Sequence, residues 1–250
     1  MAIDSVKSAA RVLDLLELFD RCQRPLSLRE IVEETGYPQS STAALLATLI
    51  ARGYIAHDRR SRVYVSTPAV AHLGRWVSDD GVASERALYR TIQQLHRLTG
   101  ETAVAAVRRN VYAQYVVVQQ TTRPIVVQTQ PGVLRPICTS ATGLALLSTM
   151  SDEAIRQIAT QARRERRGLS RPVPLTELRR RIKETRQWGF AVSRHGVFEG
   201  TGMIAMPLNS PICGHTVALG VGGPVVRLDA KMSKLVAALK DAVKNVFGPA

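Results

Sequence analysis

Residues Pro25–Ser66 read PLSLREIVEETGYPQSSTAALLATLIARGYIAHDRRSRVYVS, and the rest of the chain is organised around them. Leu28, Ile31 and Val32 put apolar side chains on one side of a short helix. Ser27 and Glu30 form an S-x-x-E capping box, whose side chains satisfy the first orphan N–H groups. Gly36 supplies the positive φ that ends a helix, and Pro38 bars Tyr37 from continuing it. In a second helix Thr42, Leu45, Leu46 and Leu49 fall at i, i+3, i+4 and i+7, one buried stripe. The opposite face carries Gln39, Ser40, Ser41, Ala43, Ala44 and Ala47, small or polar residues that allow close approach to a surface. Gly53 stops this helix. Tyr54–His57 and Val63–Ser66 read as strands around the tip Asp58-Arg59-Arg60-Ser61-Arg62. Two short helices, a glycine turn and an Arg-tipped hairpin predict a winged helix-turn-helix. Its second helix enters the major groove and its wing lies on the backbone or in the minor groove. The plainer alternative is a helical hairpin packed on another element. The capping box, the small exposed face and the three wing arginines together favour DNA.

The length of 250 residues allows one large domain or two ordinary ones. There is no run of 18 apolar residues and no apolar stretch within Met1–Ser8. Neither a membrane span nor a secretory signal is therefore expected, and the cytoplasm is the default compartment. Cys22, Cys138 and Cys213 are widely spaced and form no C-x-x-C pair, which argues against zinc and against a disulfide framework. No cofactor is expected. The net charge of +14 suggests a polyanion, but residues 1–77 hold 10 Lys/Arg against 8 Asp/Glu, whereas residues 78–250 hold 24 against 12. The positions of the wing arginines therefore support DNA binding better than the net charge does. The basic excess concentrates at Arg163, Arg164, Arg166, Arg167, Arg171, Arg179, Arg180, Arg181, Lys183 and Arg186. A solvated loop and helix face is the expected reading there, ahead of a second DNA or partner contact.

Ser5–Phe19 reads as a helix with two apolar stripes, Ala9/Val12/Leu13/Leu16 and Leu15/Leu18; one packs on the helix-turn-helix and the other calls for a dimer mate. Lys7 and Arg11, one turn apart, are candidate phosphate contacts. Thr67-Pro68 is an N-cap with Pro at the first helical position, opening a short helix Ala69–Val77. The polar cluster Ser78–Gly81 marks a domain boundary. A longer helix then faces Leu88, Ile92, Leu95 and Leu98 inward and closes at Gly100. Thr102–Arg108 and Tyr112–Gln120 alternate as strands about Asn110. Further strands are expected at Ile125–Gln128, Phe190–Ser193, Met203–Leu208 and Thr216–Gly222. Helices are expected after the Ser140–Gly143 loop and at Asp152–Ala162 and Leu175–Trp188. A last helix carries the stripe Leu228, Met232, Leu235, Val236, Leu239 and Val243. An antiparallel sheet flanked by helices is the simplest arrangement. Trp76 and Trp188 read as packing residues, and Gly220–Gly223 as a strand and turn, not a phosphate loop.

Three spaced segments, PICTSATGLALL (Pro136–Leu147), GFAVSRHGVFEGTGMIAMPL (Gly189–Leu208) and ALGVGGP (Ala218–Pro224), resemble the IclR family of bacterial transcription regulators. With the winged helix-turn-helix, the resemblance covers nearly the whole chain. It implies an α+β chain: a winged helix-turn-helix DNA-binding domain over 1–67, a linker helix over 68–80, and a GAF-like α/β effector-binding domain over 81–250. It further implies a homodimer that often pairs into a tetramer, and binding to double-stranded operator DNA tuned by a small molecule. Members act as repressors, activators or both. The DNA-binding candidates are Lys7, Arg11, Ser27, Arg29, Gln39, Ser40, Ser41, Ala43, Ala44, Arg59, Arg60 and Arg62. The effector-binding candidates are Cys138, Ala141, Gly143, Leu144, Ser193, Thr201, Met203, Gly220 and Gly222.

Departures from the family pattern sharpen these expectations. Two basic residues usual in its recognition helix are missing across Gln39–Ala44, so the wing must supply more of the affinity, while Gln39 can still pair with adenine. In the effector segment, Ser193, Arg194, His195 and Gly196 replace a run of acids. Met203 replaces a common Cys, Gly220 and Gly222 replace two serines, and Cys138 and Leu144 replace a frequent His and Lys. A roomier, more apolar pocket suited to a bulky or aromatic metabolite, such as an aromatic acid, is expected. The function expected is a DNA-binding repressor of a catabolic operon. The alternatives are a ligand-sensing or dimerisation protein with a degenerate pocket, and an enzyme using Cys138 as a nucleophile at a helix start. Since Cys138 has no identifiable base partner beyond His195 or His215, an enzyme is not expected.

Overall fold

The computed structural model describes residues 6–73, 79–124, 128–165 and 173–246. The chain divides into two compact units, 1–77 and 78–250.

In the first unit, helix α1 (Lys7–Cys22) precedes strand β1 (Leu26–Ser27), helices α2 (Leu28–Thr35) and α3 (Gln39–Ala51), strands β2 (Ile55–Asp58) and β3 (Val63–Ser66), and the short helix α4 (Ala69–His72). The capping box forms: the Glu30 N–H donates to Ser27 Oγ at 3.3 Å, and the Ser27 N–H to Glu30 Oε2 at 2.8 Å. Gly36, at φ +67°, ends α2 with its N–H on the Val32 carbonyl. The core is Leu15, Leu18, Phe19, Leu26, Ile31, Leu46, Leu49 and Ile55. Of the two stripes on α1, Leu15 and Leu18 are the buried one, joined by Phe19, whereas Leu13 is 58% exposed. The sequence reading missed β1, which adds two residues to β3 and makes the wing a three-stranded sheet in the order β1-β3-β2. A two-residue strand has too few residues to show alternation. The linker helix is described only over Ala69–His72, where Thr67 Oγ1 accepts the Ala69 N–H; Trp76 and the rest of that reading lie outside the described residues.

The second unit begins with helix α5 (Asp79–Thr99), which leads into strands β4 (Thr102–Arg109) and β5 (Tyr112–Gln119), joined by a tight turn with Asn110 at φ +53°. Strand β6 (Leu134–Pro136) follows, then helices α6 (Ala141–Ser148), α7 (Asp152–Arg164) and α8 (Leu175–Trp188). Strands β7 (Ala191–Arg194), β8 (Thr201–Pro207) and β9 (Val217–Pro224) precede helices α9 (Val225–Ala230) and α10 (Met232–Asn245). The six strands form one antiparallel sheet in the order β6-β5-β4-β9-β8-β7. Helices α6, α7 and α8 bury Leu144, Leu147, Ile155, Leu178 and Ile182 on one face; α5 and α10 bury Leu88, Ile92, Leu95, Leu235 and Leu239 on the other.

Three expectations are corrected here. Leu98 is 67% exposed, and Thr99 takes the last inward position of α5, its hydroxyl on the Leu95 carbonyl. The final amphipathic helix is two helices, parted at Lys231, whose φ of −117° leaves the helical region. Strand β6 was not expected; positions 125–127 of the strand expected at Ile125–Gln128 lie outside the described residues.

A bulge matters for the site. Ala105 pairs with Val117 and Ala106 with Tyr115, leaving Val116 unpaired. The extra residue reverses the alternation along β5: Ala113 and Tyr115 join the α6 face, while Val117 joins the α5 face. Tyr115 is thereby aimed towards α6. Among the described residues, no helix is long and apolar enough to cross a membrane.

Candidate functional site

The first unit presents a candidate nucleic-acid surface. Gln39, Ser40, Ala44 and Ala47 are exposed on α3, Ser41 and Ala43 are half-buried, and Thr42, Leu46 and Leu49 are buried beneath them. The exposed side of α3 carries no Lys or Arg before Arg52. Arg59, Arg60 and Arg62 are all exposed at the wing tip. Asp58 holds that tip: its carboxylate accepts the Arg60 N–H at 2.9 Å and the Ser61 hydroxyl. The Ser61 hydroxyl, then the Arg60 N–H, keep this carboxyl below its ordinary value. His57 and Tyr64 stack across the two strands with ring centroids 4.5 Å apart, a cross-strand pair that stiffens the wing.

The other DNA candidates are placed differently. Arg11 lies over the Tyr37 ring at 4.7 Å, and the Tyr37 hydroxyl donates to Asp14. Lys7 is exposed at the start of α1. Arg29 pairs with Glu33 at 2.8 Å on the surface of α2. The Ser27 hydroxyl is engaged inside the chain, donating to Glu30 Oε2 and accepting the Glu30 N–H.

The second unit holds an open cavity of about 70 Å³ on the α6 side of the sheet. Of the residues singled out from sequence, Ala141, Ser193, Thr201, Met203 and Gly222 line it. Cys138, Gly143, Leu144 and Gly220 do not. Leu144 is a core residue between α6 and the sheet. Gly143 meets the loop before it so closely that a Cβ would sit 2.2 Å from the Ile137 carbonyl oxygen. A Cβ on Gly220 would lie 3.0 Å from Met203 Sδ, and one on Gly222 would lie 2.8 Å from Met203 Cε.

That last contact corrects the expectation of a roomier pocket. Met203 is the cross-strand partner of Gly222, and its thioether occupies the space that both glycines leave. Apolar atoms make most of the wall, as the sequence reading expected, but polar groups punctuate it. Thr102, Thr121, Thr129, Ser140 and Thr201 contribute hydroxyls, and Arg135 and Arg227 contribute guanidiniums. Ser140 N-caps α6, accepting the Gly143 N–H at 3.1 Å, and Ser193 donates to the Thr139 carbonyl at 3.0 Å.

Arg227 is bound by Glu101, Nε to Oε1 at 3.1 Å and Nη2 to Oε2 at 2.9 Å. Glu101 is fully buried and also has Arg123 at 3.7 Å and Lys231 at 3.6 Å. The Arg135 guanidinium lies over two rings, 5.4 Å from the Tyr115 centroid and 5.2 Å from that of Phe198. The Tyr115 hydroxyl lies 3.6 Å from Met203 Sδ. Sequence reasoning missed Tyr115, Arg135 and Phe198. The bulge that aims Tyr115 has no residue signature, and the guanidinium–ring stack joins three segments remote in sequence. Ser140 was legible as the N-cap of a helix already assigned to the pocket.

Cys138 is not an activated thiol. It packs into the α6–α8 core, and burial pushes the thiol up to about 11, against the smaller opposing pull of Arg163 and Arg181. The dipole argument for a nucleophile fails because desolvation outweighs it. In the basic stretch, Arg180 pairs with Glu177 and Glu184. Arg186 bonds Asp152 and the carbonyls of Ser148 and Met150. Arg181 is half-buried, its Nη2 3.4 Å from the Val192 carbonyl. Arg181 and Arg186 tie α8 to its neighbours, whereas both partners of Arg180 lie within α8; Arg166, Arg167 and Arg171 lie outside the described residues.

Comparison with known proteins adds a family. Residues 8–59 match the IclR helix-turn-helix domain, and residues 84–247 match the bacterial transcriptional regulator IclR C-terminal domain. The chain is 26% identical over 251 residues to the HTH-type transcriptional regulator BhcR of Paracoccus denitrificans, covering 98% of this chain and 88% of that protein. It is 28% identical over 258 residues to the Pca regulon regulatory protein of Pseudomonas putida, covering 98% and 86%. A crystal structure of an IclR transcriptional regulator from Alicyclobacillus acidocaldarius shares the fold with a TM-score of 0.61, at 24% identity over 97% of this chain and 98% of that one.

Proposed function

The chain belongs to the IclR family of bacterial transcriptional regulators, with a DNA-binding domain and an effector domain, and from that premise we propose that it is a repressor of a catabolic operon released by an aromatic acid. One observation carries the reading. A winged helix-turn-helix with an arginine-tipped wing and a cavity mixing rings, hydroxyls and a guanidinium occupy separate units of one chain. Tyr115, Val197, Phe198 and Met203 give the cavity an aromatic and thioether wall, which suits a ring. The Pseudomonas putida relative is named a regulon's regulatory protein, which supports control of a set of genes.

The cavity volume of about 70 Å³ is below the roughly 150 Å³ that holds benzene in an engineered core. A ring therefore enters only as Met203 or Phe198 swings aside. Both side chains can move: Met203 is unbranched and Phe198 is 48% exposed. The working form is a homodimer, supported by the exposed Val6 and Leu13 on α1, because a two-fold pair of recognition helices reads two half-sites.

The test is a gel shift on duplex DNA from upstream of its own gene and of any divergent neighbour, at low ionic strength, with and without a panel of aromatic acids. Retardation relieved by at least one acid is the expected result. No retardation on any of these duplexes refutes the DNA reading. Retardation that no acid changes refutes the aromatic-acid reading.

A further inference from the structure

We propose that Arg135 is the residue that selects a carboxylate in the cavity, gripping it with the edge of a guanidinium held against Tyr115 and Phe198. This rests on the cavity being the effector site. It goes further by assigning the charge that the ligand must carry and the side chain that reads it.

Of the two guanidiniums in the cavity wall, Arg227 forms a two-point bond with the buried Glu101. Arg135 has no such partner: among the described residues, no Asp or Glu comes within 4.0 Å of it. Its hydrogen bond to Thr129 is a long one, Nη2 to Oγ1 at 3.4 Å, Thr129 is itself a wall residue, and the Tyr115 hydroxyl is a second polar neighbour. The two rings lie within cation–π range of the guanidinium. Contacts of that kind engage the cation through the ring faces and leave part of its rim of N–H donors open. That rim is the part that matches the two oxygens of a carboxylate.

The arrangement is built rather than incidental. The β5 bulge aims Tyr115 at Arg135, and Tyr115 is buried. Phe198 comes from the β7–β8 loop, which is tied at both ends: the His195 N–H donates to the Thr201 carbonyl at 2.8 Å, and the Gly200 N–H to His195 Nδ1 at 3.0 Å. A ring lying against a half-buried arginine at a cavity wall shields part of that charge from water, which strengthens its pull on an anion. With glycine at 220 and 222, strand β9 itself offers no hydroxyl to an acid group.

The test is calorimetric titration of the full chain with benzoate, 4-hydroxybenzoate, phenylacetate and pyruvate, each beside its neutral amide. The wild type, Arg135→Met and Arg135→Lys are compared. Met keeps an unbranched apolar stem against the rings, and Lys keeps the charge without the planar fork. At least one acid should bind wild type about 10- to 100-fold more tightly than its amide, the range for a hydrogen bond to a charged group. Arg135→Met should erase that margin while leaving amide binding within a few-fold, and Arg135→Lys should keep part of it. If the margin survives in Arg135→Met, or if amides bind wild type as well as acids do, the assignment of Arg135 is wrong while the cavity still stands as the site. If no acid and no amide binds wild type, the cavity reading falls as well.

Discussion

Consider alanine at both Arg59 and Arg60. The wing should keep its shape, because Asp58 holds the backbone N–H of residue 60 and the Ser61 hydroxyl, neither of which is lost. What goes is charge at the tip. Each phosphate neutralised contributes roughly −0.9 to the slope of log K against log salt. A two-fold dimer presents four of these side chains, so the double substitution should flatten the slope by about 3.6. Between 50 and 200 mM salt, wild type should then lose about 100-fold more affinity than the variant does. The measurement is fluorescence anisotropy on a labelled operator duplex and on a scrambled one at five salt concentrations. The loss should be similar on both duplexes, since phosphate contacts carry no sequence information. Gln39→Ala, by contrast, should weaken the operator selectively. If the slopes of wild type and double variant agree to within about one unit, the phosphates are held by another element. The deduction from the uncharged face of α3 would then be refuted.

Other outcomes follow from the same geometry. Gly143→Ala places a Cβ against three backbone atoms of Ile137, 2.2–2.6 Å away. It should cost the second unit about 1–3 kcal/mol or more in urea denaturation. Gly222→Ala meets the movable end of Met203 at 2.8 Å and the Gly202 carbonyl oxygen only at 3.3 Å, and should cost less. Cys138, raised to about 11 by burial, should resist iodoacetamide at pH 8 while the exposed Cys213 is alkylated, which intact-mass spectrometry of the folded chain reads directly. Glu30 is held at about 2, first by the Ser27 N–H and then by the Ser27 hydroxyl and Arg24. A carboxyl lowered from its unfolded value of about 4.3 stabilises fully above that value and loses the effect as pH falls towards 2. Thermal melts of wild type and Glu30→Gln should therefore separate above about pH 5 and converge near pH 2.

The sequence was most readable where a single residue type enforces a local geometry. The Ser27–Glu30 box, Gly36 at the end of α2, Asn110 in the β4–β5 turn and Ser140 at the head of α6 each act within four residues, so spacing alone exposes them. It was least readable where the outcome depends on what packs opposite. Two stripes on α1 are equally apolar, and only the facing helices choose Leu15 over Leu13. Thr99 displaces Leu98 because a threonine can bond the carbonyl one turn back and so enter a buried position. In the cavity, residues assigned by resemblance divided on side-chain direction. The two glycines suggested empty space, but Met203, directly across the strand, takes it. The unread part of the site, Tyr115 with Arg135 and Phe198, depends on a bulge and a loop, neither of which has a residue signature of its own.

Glu101 gathers pieces of chain that are far apart in sequence. The guanidiniums of Arg123 and Arg227 and the ammonium of Lys231 converge on one carboxylate that water does not reach. Such a knot is a mechanical junction: the start of β4, the segment after β5 and the break between α9 and α10 are tethered to a common point. Because Arg227 also faces the cavity, a guest that tugs on it pulls against all three tethers together.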